Sequence, residues 1–363
     1  MNKSFRFAIY PNETQKTLIS KTFGCVRFIY NKMLTDRILH YNLTGEILKN
    51  TPAQYKAKFD WLREVDSLAL CNAQLNLNRA YQYFFKNKEM GFPRFKSKRN
   101  NRQSYTTNLV NGNIRLEKDR LVLPKLGGVK IRVHRSIPKE YKLKSVTISR
   151  SPSGKYHASI LFEYQSNIPV IKPKTFIGLS HSTNELIITS EGLKAEYPAY
   201  YQKSLEKLKK AQRKLSRCQK GSRNRNKERI KVARLHEKVA NQRKDFLHKL
   251  SRQITNGADM VCVEVLNKKD KGLQGYYKND VPIIGYSMLL KMIDYKLKEQ
   301  GKHLVRINDR FNTSNQCSKC GEINDHLPLH RHSFQCIECG LEMDWSHNAC
   351  INLREEGKRQ LLA

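Results

Sequence analysis

The sequence predicts an α+β multidomain protein: an antiparallel β-barrel with an inserted helical region, then an α/β domain with a basic helical hairpin, interrupted by a small cysteine-rich module. Three observations predict it. Period-two alternation dominates residues 104–165 and recurs in one strand at the start, with helical texture between the two. From Thr175 onward short apolar strands alternate with helical stretches. Near the C-terminus, two Cys-x-x-Cys pairs stand fifteen residues apart. These signals divide the chain into a barrel at 1–10 and 103–170, a helical region at 11–102, an α/β domain at 171–312 and 342–363, and a cysteine module at 313–341.

The first strand, residues 3–10, alternates as KSFRFAIY and is closed by Pro11. Leu70, Ala73, Leu77, Tyr81 and Phe84 recur at i+3/i+4 spacing and form one apolar helical stripe, which reads as core packing. Gly91 and Pro93 break that helix. The run that follows holds Arg94, Lys96, Lys98, Arg99 and Arg102, no acid, and the rings of Phe92 and Phe95. Cations interleaved with aromatics suit phosphate contacts beside base stacking; the alternative is a solvated loop. Residues 121–134 and 145–164 alternate with period two, and Pro152-Ser153-Gly154 supplies a hairpin turn. In the α/β part, Phe176–Leu179 and Glu185–Thr189 pair as strands, and Met260–Val265 is a buried strand bearing the carboxylate of Glu264. Residues 287–300 are helical, and Leu304–Ile307 is a further strand.

Sixty-eight Lys and Arg against 32 Asp and Glu leave a net charge of +36, which a folded chain carries only if polyanions cover a wide surface. Nucleic acid is the leading partner, with an anionic membrane surface as the alternative. Residues 201–250 hold 18 Lys or Arg against four acids, a local net of +14. Leu205, Leu208 and Leu215 precede a Gly221-Ser222 break; Ile230, Leu235, Val239 and Leu250 follow it. That is a helical hairpin with one apolar seam and basic outer faces. Charge this one-sided favours a polyanion track over a merely solvated face. Its candidate contacts are Arg213, Lys214, Arg217, Lys220, Arg223, Arg225 and Arg243. No apolar run of about 18 residues is present, so no membrane span is expected. The first residues lack the apolar core of a secretory signal, and a cytoplasmic protein is expected.

Nine cysteines, an odd number and mostly scattered, argue for a reducing compartment. Cys317-x-x-Cys320 and Cys336-x-x-Cys339, each followed by glycine (Gly321, Gly340), have the spacing of two knuckles whose thiolates close a tetrahedron. Structural Zn²⁺ is expected, because four protein ligands leave no open position. His326, His330 and His332 between the pairs read as spacers.

FRFAIYPNETQ (5–15), KTFGCVRFIYN (21–31), GFPRFKSKR (91–99), LPKLGGVKIRVH (123–134), SGKYHASILFE (153–163), the basic run 213–251 and TSNQCSKCG (313–321) together make the chain resemble TnpB. TnpB is the transposon-encoded RNA-guided nuclease related to compact type V CRISPR effectors. The resemblance covers essentially the whole chain. It implies a wedge-type β-barrel with an inserted helical recognition region, then a RuvC domain of ribonuclease H type, with its basic hairpin and an inserted zinc ribbon. It implies as partners a guide RNA and double-stranded target DNA beside a short adjacent motif. By family position Ser67, Cys71, Asn72 and Thr107 lie near that motif.

The same resemblance implies three carboxylates that hold the Mg²⁺ ions of a nuclease. The matching positions are Ser180 in IGLSHST, Glu264 in VCVEVLN and Ser346 in DWSHNACINL. Two of the three are serine, a neutral and weak ligand for a hard divalent ion, so no catalytic Mg²⁺ and no enzyme activity are expected. Asp344 lies two residues before Ser346, about 200° around a helix, and reads as a helix cap. His181 and His347 are rotated off the site, and Glu185 lies across a hairpin. Within the family, the chain most resembles nuclease-dead relatives that act as RNA-guided transcriptional repressors, associated with the prokaryotic nucleoid. The alternatives are an RNA-guided metal-dependent endonuclease with rearranged ligands, and an RNA-binding protein without DNA targeting.

Overall fold

The computed structural model describes residues 1–99, 103–165, 168–181, 185–264, 281–308, 311, 313–324 and 333–362. Arg102, Val265 and the three histidines at 326, 330 and 332 lie outside the described residues. The chain divides into two compact units, Met1–Ser166 and Asn167–Ala363.

The first unit runs β1 (Asn2–Tyr10), α1 (Glu13–Thr44), α2 (Pro52–Lys58), α3 (Ser67–Lys86), β2 (Gln103–Asn108), β3 (Arg115–Leu116), β4 (Arg120–Leu123), β5 (Gly127–Arg132), β6 (Lys142–Arg150) and β7 (Tyr156–Glu163). Asn12 starts α1 with a capping box: its side chain accepts from the Gln15 amide (2.8 Å), and its own amide donates to the Gln15 side chain (3.1 Å). Gly45, at φ +72°, ends that helix in the left-handed conformation that glycine adopts without strain. Along β1 the alternation buries Phe5, Phe7 and Ile9 in one core with Ile19, Ile29 and Met33 of α1 and Leu70, Ala73 and Leu77 of α3. The apolar stripe on α3 is therefore core at its N-terminal end, whereas Tyr81 and Phe84 beyond it stay partly exposed.

The seven strands form one antiparallel sheet in the order β2-β6-β7-β1-β5-β4-β3. The expected closed barrel is not formed; the sheet is open, with β2 and β3 at its edges. Closure requires edge strands long enough to pair, and β3 has only two residues. The other edge is protected differently: β2 packs against α1 and α3, with Phe23 and Tyr105 ring centroids 5.9 Å apart.

The second unit comprises β8 (Phe176–Ser180), β9 (Ile187–Thr189), β10 (Lys194–Ala195), α4 (Ala199–Arg217), α5 (Arg223–Gly257), β11 (Met260–Glu264), α6 (Val281–Lys298), β12 (His303–Ile307), β13 (Ser333–Gln335), β14 (Glu342–Asp344) and α7 (Trp345–Leu362). Its main sheet has the order β10-β9-β8-β11-β12, with β8, β11 and β12 parallel and β9 and β10 antiparallel. Strand alternation splits the residues between two faces. Leu179, Val261 and Val263 pack with Leu247, Leu250 and Ile254 of α5 and Leu289 and Ile293 of α6. Gly178, Met260 and Cys262 lie toward α7.

The basic segment is the expected hairpin, with Ser222 capping α5 by accepting from the Arg225 amide (3.1 Å). Its seam is Tyr201, Leu208, Ala211, Val232 and Val239, flanked by Leu205, Leu215 and Leu235. Leu250, expected in that seam, is buried in the sheet core instead, because α5 continues past the hairpin onto β8 and β11. No helix among the described residues is long and apolar enough to cross a membrane.

Gly178 is where α7 approaches the sheet most closely. A Cβ there would overlap the Cys350 carbonyl oxygen and lie 2.9 Å from the Arg354 nitrogen. Gly178→Ala is expected to destabilise the second unit by about 3 kcal/mol, the top of the overpacking range, because the obstacle is backbone that cannot rotate away. The midpoint of urea unfolding checks it.

Candidate functional site

Three of the singled-out residues are brought to one end of the second sheet. Ser180 ends β8 and Glu264 ends β11, and the two parallel strands pair through Val263 and Leu179. Even-numbered residues on both strands share the face toward α7, so the Ser180 and Glu264 side chains lie on that face. Ser346 sits in the first turn of α7, four residues before Cys350, and therefore on the same side of the helix. Cys350 touches the sheet directly: its Sγ donates to the Ile188 carbonyl (3.2 Å), beside the Ser180 amide. Burial first, then the nearby charges of Asp344 and Glu264, push the Cys350 thiol up to about 12. The cluster thus presents two hydroxyls and one carboxylate at the carboxyl ends of adjacent parallel strands.

Of the neighbours that could add charge, Asp344, His347 and His181 make contacts of their own. Asp344 accepts from the His347 amide (3.1 Å) and pairs with the Lys194 ammonium (2.8 Å). Burial would raise its carboxyl, but the Lys194 hydrogen bond and the amides of His347 and Ser346 outweigh it, and the net shift is downward. The His347 ring bonds the Ser190 carbonyl (3.1 Å). His181 meets Tyr286 edge-on at 5.4 Å. Among the described residues, the one group of three or more His, Cys, Asp or Glu close enough to share a metal ion is the cysteine set.

In that set the four Sγ atoms lie within 4.8 Å of one another. Cys317 and Cys339 are 3.6 Å apart, and so are Cys320 and Cys336. A tetrahedron with metal–sulfur bonds of about 2.3 Å has edges of about 3.8 Å, so the thiolates fit a tetrahedral ion. The two knuckles are built alike. The amides of Gly321 and Gly340 donate to the carbonyls of Cys317 (2.9 Å) and Cys336 (3.1 Å), both glycines at positive φ. The amides of Cys317 and Cys336 donate to the carbonyls of Glu322 and Leu341, each at 2.8 Å. The thiols titrate together: the Cys339 amide first, and the Cys320 thiol, pull Cys336 down, while burial and the neighbouring thiols push Cys320 up. Two asparagines not anticipated from the sequence tie the first knuckle to α7. Asn348 accepts from the Ser318 amide (2.9 Å) and donates to the Gln316 carbonyl (2.7 Å); Asn352 donates to Gln316 (2.7 Å) and Thr313 (3.0 Å). Their i, i+4 spacing directly after the module was the available signal.

The basic candidates divide. Arg94, Lys98, Arg99, Arg213, Arg217, Lys220 and Arg223 are exposed. Lys96 is strapped back: Asn31 holds its backbone through two hydrogen bonds (2.8 and 2.9 Å), and its ammonium sits 4.0 Å from the centre of the Tyr30 ring. Desolvation against that ring lowers the pKa of Lys96. Lys214 pairs with Glu228 (2.8 Å). Arg225 donates to the carbonyls of Leu215 (3.0 Å) and Cys218 (2.9 Å), closing the end of α4. Arg243 lies half-buried beside Tyr201. Of the motif candidates, Ser67 and Cys71 are exposed on α3, and the Asn72 side-chain Nδ2 donates to the Leu68 carbonyl (2.9 Å). Thr107 is fully buried on β2 and presents no surface to a nucleic acid.

Residues 159–271 match the OrfB IS605 family, described as "Probable transposase", and 286–353 match the Cas12f1-like TNB domain. Residues 1–46 match the helix-turn-helix domain of the OrfB IS605 type; here they hold β1 and one uninterrupted helix. A Streptomyces pristinaespiralis protein, named as a candidate RNA-guided DNA endonuclease, is 32% identical over 371 residues, 98% of this chain and 90% of the relative. InsQ of Escherichia coli (strain K12), named likewise, is 27% identical over 384 residues, 99% of this chain and 92% of that one. The Cas12f1 chain in a cryo-EM structure of the Cas12f1–sgRNA–target DNA complex superimposes with a TM-score of 0.62, covering 98% of both chains at 11% identity, a likeness of fold.

Asp344→Ala removes an N-cap and is expected to cost about 1 kcal/mol at neutral pH. The folded carboxyl titrates below its ordinary value of 3.8, so its stabilisation is complete above that value and is lost as the pH falls through the folded pKa. Urea midpoints of parent and variant are therefore expected to converge in acid.

Proposed function

The chain belongs to the TnpB (IS605 OrfB) family of its Streptomyces relative, and from that premise we propose that it is an RNA-guided DNA-binding protein that represses transcription and does not cut. One observation carries the reading. At the strand-end cluster, two of the three positions where a RuvC-type nuclease places carboxylates are Ser180 and Ser346, and the third is Glu264. Two Mg²⁺ ions bring four positive charges and take charged oxygens; one carboxylate and two neutral hydroxyls do not fit them. Asp344, two residues before Ser346, is committed to its helix cap and to Lys194.

In this reading the rest of the chain serves to hold nucleic acid. Residues 1–10 and 103–170 act as the wedge and 11–102 as the recognition region. Residues 171–312 with 342–363 form the degenerate RuvC domain, and 313–341 the zinc ribbon. The cysteine set would hold Zn²⁺ in a closed structural site that fixes the knuckles against α7. The exposed cations of the α4–α5 hairpin and the 94–99 run contact the backbones of guide RNA and target. Residues near Ser67 and Cys71 face the adjacent motif of the duplex. Base pairing then reads sequence, and because trading DNA pairs for RNA–DNA pairs is nearly balanced, protein–backbone contacts tip the exchange. A complex that does not cut stays in place and blocks RNA polymerase. Sequencing the RNA that copurifies tests this: its variable end should match chromosomal sites enriched with the immunoprecipitated protein. RNA without matching DNA enrichment would leave only an RNA-binding protein.

Two substitutions probe the two sites. Ser180→Asp alone is expected to leave matched DNA intact, and Ser180→Asp with Ser346→Asp to yield Mg²⁺-dependent scission, read on a denaturing gel. Cys317→Ser is expected to reduce bound zinc from about one ion per chain to well under half, measured by plasma mass spectrometry, and to lower the melting temperature.

A further inference from the structure

A cavity of 770 Å³ lies in the first unit, between the C-terminal halves of α1 and α3, the connection after Gly45, and Phe92. Its walls are aromatic: Tyr41, Tyr81, Phe84, Phe85 and Phe92. Tyr81 and Phe85 stack with centroids 6.2 Å apart and planes 20° off parallel, and Phe92 stands edge-on to Tyr81 (5.5 Å) and Phe84 (5.4 Å). Arg37 is shared with a second space of 240 Å³ that continues the groove past Lys49, Asn50 and Thr51. Its Nε and Nη1 donate to the side-chain oxygens of Asn50 and Asn78, each at 2.8 Å, and its guanidinium carbon is 5.8 Å from the Tyr81 ring centre. Those bonds fix the guanidinium plane and use two of its five donors.

The groove is not sealed: Phe85 is 70% exposed and Ile47 77% exposed. An apolar opening of this kind marks a binding surface. Chemistry selects the occupant. A purely apolar partner has no use for a guanidinium and the amides of Asn42, Asn78 and Gln82 set among the rings. A planar base has use for both, stacking on a ring face while its acceptor edge takes hydrogen bonds. Charge agrees, since the exposed Lys49, Lys86 and Lys88 near the groove outnumber Glu46 and Glu89, on a chain of net charge +36. The volume lies within the range of small-ligand sites.

We propose that this groove holds an unpaired nucleobase of the nucleic acid the chain carries, stacked on the Tyr81–Phe85 rings. Arg37 donates to its acceptor edge, and the adjoining phosphate lies toward Lys49. The proposal rests on the nucleic-acid reading above. Phe85→Leu tests it, because leucine keeps bulk and apolarity but removes the ring. The full chain is titrated with fluorescent oligo(rU), oligo(dT) and an abasic strand of the same length, over a salt series. Phe85→Leu should weaken binding of the base-bearing strand about fivefold or more. The slope of log K against log salt should stay unchanged, and so should affinity for the abasic strand, since no cation is lost. A larger loss on oligo(rU) than on oligo(dT) assigns the base to RNA, and the reverse to DNA. Unchanged affinity for both strands overturns the groove proposal alone. So does sedimentation in which the parent self-associates, Phe85→Ala does not, and strand affinity is the same. A parent chain that binds neither strand overturns the nucleic-acid reading itself.

Discussion

At position 178 no side chain fits between β8 and α7. The helix lies so close to the strand that only glycine is accommodated at 178, with the Cys350 carbonyl occupying the space a Cβ would need. Much of the second unit follows from that approach. It sets Cys350 against the Ser180 amide and the Ile188 carbonyl, which fixes the first turn of the helix, and Ser346 with it, over the ends of β8 and β11. Further along, the same helix carries Asn348 and Asn352, whose hydrogen bonds hold the knuckle of Cys317 and Cys320. One element therefore ties the strand-end cluster to the cysteine set, and a shift of the helix moves both.

Local chemistry was legible in the sequence and tertiary neighbours were not. The Cys-x-x-Cys-Gly pairs specify their knuckles within a few residues, and the four sulfurs do come together. The hairpin was legible because its apolar seam keeps a helical period across a Gly-Ser break; Ile230 stays outside the packed seam, and Leu250 goes where α5 goes next. Barrel closure was not legible, since alternation says that a strand is half-buried, not which strand it pairs with. A two-residue β3 leaves that edge of the sheet open, and β2 at the other edge lies beneath helices. Charge had the same limit. Composition marks Lys96, Lys214 and Arg225 as phosphate contacts, but the structure occupies them with Tyr30, Glu228 and the end of α4. Thr107 looked like a motif reader and is buried.

The electrostatics of the chain are lopsided in an informative way. It carries +36, yet the strand-end cluster that the proposed function equates with a nuclease centre sets one carboxylate, Glu264, beside the hydroxyls of Ser180 and Ser346. The scaffold around that place is intact: the parallel strands, the close helix and the Asp344 cap are all formed. On the proposed reading, loss of charge without loss of fold separates a holding function from a damaged cutting one. Backbone contacts and base pairing need no metal at this position; scission does.

The most direct measurement follows one sample through binding and chemistry. The wild-type chain, purified with its own RNA, is mixed with a duplex that matches that RNA beside a library of adjacent motifs, in Mg²⁺ or Mn²⁺. Retained DNA is then run on a denaturing gel. This account predicts specific, RNA-dependent retention of one class of duplex with both strands full length. Strand scission at a fixed position within the matched duplex would contradict it.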